Sequence, residues 1–345
     1  MNLTYRYRIK DSNSRKQLDL WSSKVNFVWN YCRETASKAW RRDRRILTGY
    51  DLNYLTAGSS KELGLPAQTI QAICEQFARS GKQHHKLPKF RSYKRHLAWI
   101  PWKATSFKMK EHILFNGIKL KVWRSRPLGG PVKTGSFVKD ILGRWYVNII
   151  CSVPMEPKQP NTNPIGLDLG MKTKITGSNG TTYHTPNISK KYEGKLAIAQ
   201  RARKPKQIKK IHTKINNTRK DWTHKTTTEI VKQYNKIIIG NVKTKQIQQP
   251  KAKGFNKALY DASWFQLKTT LEYKALMLGG EYVEINEAYT TQTCSACGAR
   301  TGPRGTKDLG IREWTCESCG SFHDRDHNAA KNILRLGHQS LAQGS

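Results

Sequence analysis

The sequence predicts two unlike parts: a β-rich first half interrupted by helices, then an α/β layer fold that carries a cysteine-rich insert. Three observations support this. After residue 164 the apolar patterning, stripped of the insert, runs strand, strand, strand, helix, strand, helix, strand, helix, the order of a layered α/β domain. Before it, apolar residues at spacings of three and four fill about Leu18 to Arg79, between segments that alternate like strands. Near the C-terminus two CxxC pairs, Cys294/Cys297 and Cys316/Cys319, stand 18 residues apart, the spacing of a structural zinc ribbon.

Taken in order, LTYRYRI (3–9) alternates as a strand. The helical segment follows, with Val25, Val28, Trp29 and Cys32 on one stripe and Ile70, Ile73 and Phe77 on another. From Leu87 to Pro154 come short β-like runs, SFKMK, HILF, IKLKVW and RWYVNIICSV, separated by NG and GG turn signals. One strand, a helical insertion and more strands suggest a β-barrel interrupted by a helical lobe. EPKQPNTNP (Glu156–Pro164) is a polar, proline-bearing linker and the clearest boundary. PIGLDLG then reads as a buried strand, KTKITGSNGTTYHT as a hairpin turning at Ser178-Asn179-Gly180, and about Ser189 to Gln233 as a long basic helix. KIIIGNVKTK is a short buried strand ending at Gly240-Asn241; a helix from about Asn256 to Leu278, the strand YVEIN, the insert and a last helix from about Asp326 complete the chain. No internal repeat is visible, and the tail GHQSLAQGS reads as disordered.

Composition narrows the partners. Lys and Arg number 62 against 24 Asp and Glu, a formal charge of +38, which repels itself in a compact state unless a polyanion binds it. Aromatics interleave with the basic residues in YRYR, KAWRRDRR and KFRSYKRHLAW, offering stacking faces that favour nucleic acid over membrane. There is no 18-residue apolar run and the start MNLTYRYRIK has no signal-peptide core. A reducing, intracellular setting is expected, with Cys32, Cys74 and Cys151 as small buried residues and the other four cysteines on a metal.

The candidate chemistry lies in the second half. Gly298 and Gly320, each just after a CxxC pair, suit the tight turns that present two sulfurs; four thiolates leave no open coordination position, so this zinc is architectural. Arg300, Arg304, Lys307 and Arg312 decorate the ribbon. Asp168 lies inside an apolar strand, where a carboxylate is costly without a neutralising partner, a lysine or a metal. Asp326 precedes a helix, where an N-cap is the commoner use. Together the two acids offer two corners of a two-metal phosphodiesterase site, in which carboxylates hold a pair of Mg²⁺ ions.

PIGLDLGMKTKITGSNG, AYTTQTCSACG, REWTCESCG and HDRDHNAAKNIL together resemble TnpB, the transposon-encoded, RNA-guided DNA endonuclease family related to the ancestors of type V CRISPR effectors. The resemblance runs from RYRI through nearly the whole chain and is most specific from Ile165 to Leu334. It implies an RNase H-like, RuvC-type nuclease domain (161–290 and 321–337), with Asp168 as its first acid and Asp326 as its last. A zinc ribbon would occupy 291–320, a wedge β-barrel 1–10 and 87–160, and a helical recognition lobe 11–86, with 338–345 as the disordered tail. It further implies two catalytic Mg²⁺ ions, a guide RNA encoded at the transposon end, a double-stranded DNA target beside a short adjacent motif, and action as a monomer on its RNA in a prokaryotic, nucleoid-associated cytoplasmic setting.

One position departs from the family. TnpB-like proteins typically carry a glutamate where Gly240 stands and an acid where Asn241 stands. The resemblance implies the strand order 3-2-1-4-5, which sets YVEIN beside the strand that lost its acid. Glu287, just past that strand, is about one strand spacing of 4.8 Å from the vacated position, so it is assigned as the replacement acid and Mg²⁺ ligand with Asp168 and Asp326. Glu284 is the rival. A nuclease-dead, RNA-guided repressor and a sequence-indifferent nucleic-acid binder stand as alternatives. Lys190–Lys225 holds 13 Lys and Arg against Glu193 and Asp221; Arg201, Arg203, Lys209, Lys210 and Arg325 are assigned to nucleic acid, and Trp222 to the core.

Overall fold

Large apolar side chains on every second residue make Asn2–Ile9 a strand (β1), with Tyr5, Tyr7 and Ile9 buried on one face. The computed structural model describes residues 1–345 except 11–12, 93–97, 159–162, 171–172, 186–187, 242–262, 305–307, 309 and 343–345. Four helices follow β1: α1 (Asn13–Asp43), α2 (Gly49–Leu55), α3 (Ser59–Leu63) and α4 (Ala67–His84). Then come β2 (Trp99–Lys103), β3 (Phe107–Met109), β4 (Ile113–Phe115), β5 (Ile118–Leu120), β6 (Val122–Trp123), β7 (Val132–Lys139) and β8 (Trp145–Ser152). They form an antiparallel sheet of order β2-β7-β8-β1-β6 and a small sheet β3-β4-β5; among the described residues these sheets do not close into a ring. The helices share the sheet's core: Trp21 meets Phe115 edge-on at 5.5 Å and Trp29 meets Phe77 at 5.2 Å. Cys32 and Cys74 are buried with their sulfurs 3.7 Å apart, and Cys151 is buried on β8.

The chain divides after Pro154. The second unit contains β9 (Pro164–Asp168), β10 (Ile175–Gly177), β11 (Thr182–Tyr183), α5 (Ile188–Arg201), α6 (Pro205–Gln233), β12 (Lys236–Gly240), α7 (Trp264–Met277), β13 (Glu281–Ile285), β14 (Glu313–Thr315), β15 (Phe322–Asp324) and α8 (Arg325–Ala342). Its main sheet has the order β11-β10-β9-β12-β13. β12 runs parallel to both β9 and β13, while β10 is antiparallel to β9. Counted from β9, this is the order 3-2-1-4-5.

Alternation within these strands decides which helix packs where. Ile165, Leu167, Ile237 and Ile239 face a core completed by Ile230, Trp264, Leu267 and Leu271. Ile238 and Ile285 face the other way, onto Ile333 of α8. That helix lies unusually close to β9 because Gly166 has no side chain. A Cβ there would overlap the Ala330 carbonyl and come within 2.7 Å of the Leu334 nitrogen.

Two sequence expectations need adjustment, and a third falls partly outside the described residues. The basic stretch is two helices rather than one: α5 ends, Arg203 takes a positive φ of 47°, and Pro205 starts α6, where its missing N–H is harmless. The helix expected from about Asn256 is described only from Trp264; the preceding residues lie outside the described ones. Residues 338–342, expected to be disordered, extend α8 to Ala342, since Gly337 lets the helix lie against Ile238 and its last turn continues from a packed one. The close approach at Gly166 leads to a stability prediction. Gly166→Ala should lower the unfolding free energy by about 3 kcal/mol, read as a fall in denaturation midpoint with an unchanged denaturant slope.

Candidate metal centre and carboxylate cluster

Each CxxC pair is closed by a tight turn. Gly298 N donates to Cys294 O at 2.9 Å and Gly320 N to Cys316 O at 2.8 Å, with φ values of 82° and 70° that glycine adopts without strain. The second hydrogen bond of each knuckle runs from Cys294 N to Ala299 O and from Cys316 N to Ser321 O. All four sulfurs thereby lie within 4.8 Å of one another, with Cys294–Cys319 and Cys297–Cys316 both at 3.7 Å. A tetrahedron of Zn–S bonds of 2.3 Å has edges of about 3.8 Å, so the donor set and its spacing fit a structural zinc.

Thr301 Oγ1 donates to Cys316 Sγ at 3.2 Å, the largest of the effects that hold this thiol down to about 6. His323 Nε2 lies 3.0 Å from Cys294 Sγ, and the His323 ring rests on Trp314 at 4.8 Å.

The acids converge from three elements. Asp168 is the last residue of β9 and Asp326 the second of α8, while Glu287 lies two residues past β13. Burial, then the charges of Asp326 and Glu287, push the Asp168 carboxyl well above the usual carboxylate range; Arg325 opposes them. Asp326 is also raised, by burial first, against the pull of Arg312, whose Nη1 stands 3.4 and 3.5 Å from its two oxygens. The helix is capped by Asp324, which accepts from His327 N at 2.8 Å, so the capping role considered for Asp326 belongs to its neighbour. Glu287 reaches the cluster across Gly240. A Cβ on Gly240 would overlap the Glu287 carboxylate and lie 2.9 Å from its Cβ. Glu284 is committed elsewhere: it meets Lys268 Nζ at 3.2 Å and accepts from Tyr282 Oη at 2.8 Å.

What fixes Glu287 is a clamp that the sequence reading missed. Thr290 donates its amide (3.2 Å) and hydroxyl (2.9 Å) to Glu287 O. Asn328 and Asn332, one turn apart on α8, both donate to Thr290 O, at 3.2 and 2.9 Å. Both also donate to Thr293 O, at 2.8 and 2.6 Å, and Asn328 Oδ1 accepts from Ser295 N inside the first knuckle. The signal available in HNAAKNIL was two asparagines four apart, hence on one helix face.

Among the residues assigned to nucleic acid, Arg201, Arg203, Lys209 and Lys210 are exposed on and between α5 and α6. Arg325 is different: it is 7% exposed, donates to Asp308 O at 2.8 Å, and bears on the charge of Asp168. Its place is in the cluster rather than on a surface. Trp222 packs against the core and donates to His184 O. Among the described residues no helix is long and apolar enough to cross a membrane.

Comparison with known proteins gives a consistent picture. Residues 264–333 match the family model described as "Cas12f1-like, TNB domain", and residues 148–249 match the one described as "Probable transposase". A Streptomyces pristinaespiralis protein named "Putative RNA-guided DNA endonuclease" is 29% identical over 93% of this chain and 85% of its own. The Escherichia coli K12 protein of the same description, InsQ, is 33% identical; the match covers 64% of this chain and 60% of InsQ. A TnpB-like protein of Acanthamoeba polyphaga mimivirus is 34% identical over 48% of this chain and 30% of its own length. Among solved structures, Cas12f1 in its complex with sgRNA and target DNA superposes with a TM-score of 0.63 at 15% identity, covering 94% of this chain and 83% of that one; the likeness is one of fold.

Two predictions follow from the geometry of the two centres. The purified chain should carry one zinc per molecule by elemental analysis, and Cys294→Ser or Cys316→Ser should lose it, because closing the site and folding the ribbon are one process. Asn332→Asp, which replaces a doubly used donor with an acceptor, should cost about 2–4 kcal/mol, measured as a lowered melting temperature.

Proposed function

The chain belongs to the TnpB family, and from that premise we propose that it is an RNA-guided, Mg²⁺-dependent DNA endonuclease of a transposable element. In this reading residues 161–290 and 321–337 are an RNase H-like, RuvC-type nuclease domain, 291–320 its zinc ribbon, 11–86 a helical recognition lobe, and 1–10 with 87–160 a wedge domain of antiparallel strands. The sheet order counted from β9, the sulfur tetrad and the helices inserted after β1 support those assignments. The guide would be an RNA encoded at the transposon end, with one chain per RNA, acting on double-stranded DNA.

The observation that carries the reading is the convergence of Asp168, Asp326 and Glu287, with the Glu287 carboxylate filling the volume that any side chain at position 240 would need. Their donor set is hard oxygen, which suits divalent cations, and burial, then the charges of Asp326 and Glu287, raises the carboxyl of Asp168. When bound there, two Mg²⁺ ions would supply an activated water and a stabilised leaving oxygen for phosphodiester hydrolysis. The chain's own part is to hold the three acids in place. The end of β9 sets Asp168, the first turn of α8 sets Asp326, and the Thr290–Asn328–Asn332 clamp sets Glu287. Arg312, half-exposed against Asp326, is placed to turn from that carboxylate to a substrate phosphate. The exposed Arg201, Arg203, Lys209 and Lys210 would follow the guide–target backbone, where positive charge gives affinity without sequence choice.

The missing acid at Gly240-Asn241 favours a second reading, a nuclease-dead repressor that keeps guided binding. The same experiment separates the two. Loaded with the RNA that copurifies with it, the chain should cut a matched duplex in Mg²⁺. Asp168→Ala, Asp326→Ala and Glu287→Gln should each lower the rate at least 100-fold with target binding within about threefold, while Glu284→Gln cuts normally. Gly240→Glu should fail alone, by collision with Glu287, and recover activity when combined with Glu287→Ala. A wild type that binds but never cuts would establish the repressor; cutting by Glu287→Gln at the wild-type rate would sink the assignment of Glu287.

A further inference from the structure

Two residues beyond Glu287 the chain does something that folding alone does not reward. Tyr289 has φ +66°, in a turn closed by Thr290 N on Glu287 O at 3.2 Å. This is the third place of a turn that wants a positive φ, where glycine or asparagine is the ordinary occupant and a bulky side chain is strained. The ring also gains little from burial, being 52% exposed, and it belongs to none of the apolar clusters of the unit. What it does have is a cation: the guanidinium of Arg300 lies 4.1 Å from its centroid. Arg300 is itself exposed and held to the loop by its bridge to Thr293. A strained backbone that displays an aromatic ring in the turn that carries Glu287 points to a ligand rather than to packing.

We propose that Tyr289, backed by Arg300, is a stacking platform for an unpaired base beside the scissile phosphate of the DNA strand that enters the carboxylate cluster. The inference rests on the nuclease reading and names the substrate contact of that site. Arg300 covers one face of the ring and polarises it, leaving the opposite face for a planar base, and its charge suits the adjoining phosphate. The turn that sets Tyr289 is the one that sets Glu287, so a base on the ring holds its own phosphate at a fixed offset from the acids. Only an unpaired base offers a free face, so the platform takes single-stranded substrate, and it is indifferent to sequence because every base has such a face. Commitment to DNA rather than guide RNA follows from position: the strand that reaches the acids is the strand to be cut.

The test uses the full chain with its copurified RNA, made inactive by Asp168→Ala, on matched targets carrying 2-aminopurine at successive positions around the cut. One position should be quenched on binding. Adding Tyr289→Gly should abolish that quench and weaken capture of the unpaired strand about tenfold, within the range for loss of one stacked base. Tyr289→Phe and Tyr289→Trp should keep both. Tyr289→Gly should melt no lower than its parent, since glycine suits φ +66°, so a loss of binding is not a loss of fold. An abasic site at the quenched position should make Tyr289 and Tyr289→Gly equal. Undiminished quenching in Tyr289→Gly, an abasic target on which the two still differ, or quenching confined to 2-aminopurine in the RNA would each overturn the platform. These readouts need no cleavage, so a wild type that does not cut while the Tyr289-dependent quench stands would refute the nuclease reading and leave the stacking site.

Discussion

Repulsion between carboxylates is the constraint around which the second unit is organised. Asp168, Asp326 and Glu287 are all half-buried, and burial together with the charges of Asp326 and Glu287 raises the cost of charging Asp168; a close pair of like charges costs on the order of a few kcal/mol at the effective dielectric of a protein surface. Hydrophobic collapse does not gather such groups; rigid elements must hold them against the field. β9 runs between two hydrogen-bonded neighbours, β10 and β12, so its last residue has little freedom. α8 is pressed onto that strand at Gly166, which fixes how far Asp326 stands from Asp168. Its N-terminal dipole favours the negative charge it carries. Arg312 and Arg325 offset part of what remains.

How much of this was legible in the sequence depends on the range of the interaction concerned. The short apolar runs of PIGLD and KIIIG, the paired CxxC units and the glycines after them are local patterns, and the strands and knuckles they imply are present. The break between α5 and α6 had a local signal too, Pro205 as a helix start, but the basic composition on both sides masked it and the stretch read as one helix. Nothing local could show that Asn332 reaches Thr290 across 42 positions. Nor could it show that Arg325 turns inward, because an arginine in a basic chain reads as surface until its neighbours are known. The helical end of α8 was misread for a similar reason: His338–Ser340 is polar, and what extends the helix there is the packing of Gly337 on Ile238.

The ribbon and the cluster share a side chain. Asn328 accepts from Ser295 N within the first cysteine knuckle and donates to Thr290 O, which lies one step from the Glu287 turn. A metal that closes the knuckle therefore also orders the segment between Glu287 and Cys294. The buried donors of Asn328 and Asn332 leave that segment few alternatives, since a displaced loop would strand four polar groups without partners. On the proposed reading, architecture at the zinc and chemistry at the acids are thus separate in role but joined in mechanical support.

On the proposed reading, moving an acid from strand to loop changes what must hold it. A residue at position 240 is fixed by the sheet: the Gly240 backbone continues a ladder to β13, with Asn241 N on Ile285 O. A residue at 287 has no ladder, and its position depends on Thr290 and on two asparagines of another element. The loop position therefore demands a clamp that the strand position does not, and the turn that aims Glu287 also settles where Tyr289 must point. Steric exclusion makes the exchange all or nothing. With any side chain at 240 the Glu287 carboxylate is displaced, and with glycine at 240 but no acid at 287 the crevice lacks a third charge. Neither change is useful alone, so on this reading Gly240 and Glu287 function as one unit divided between the end of β12 and the loop after β13.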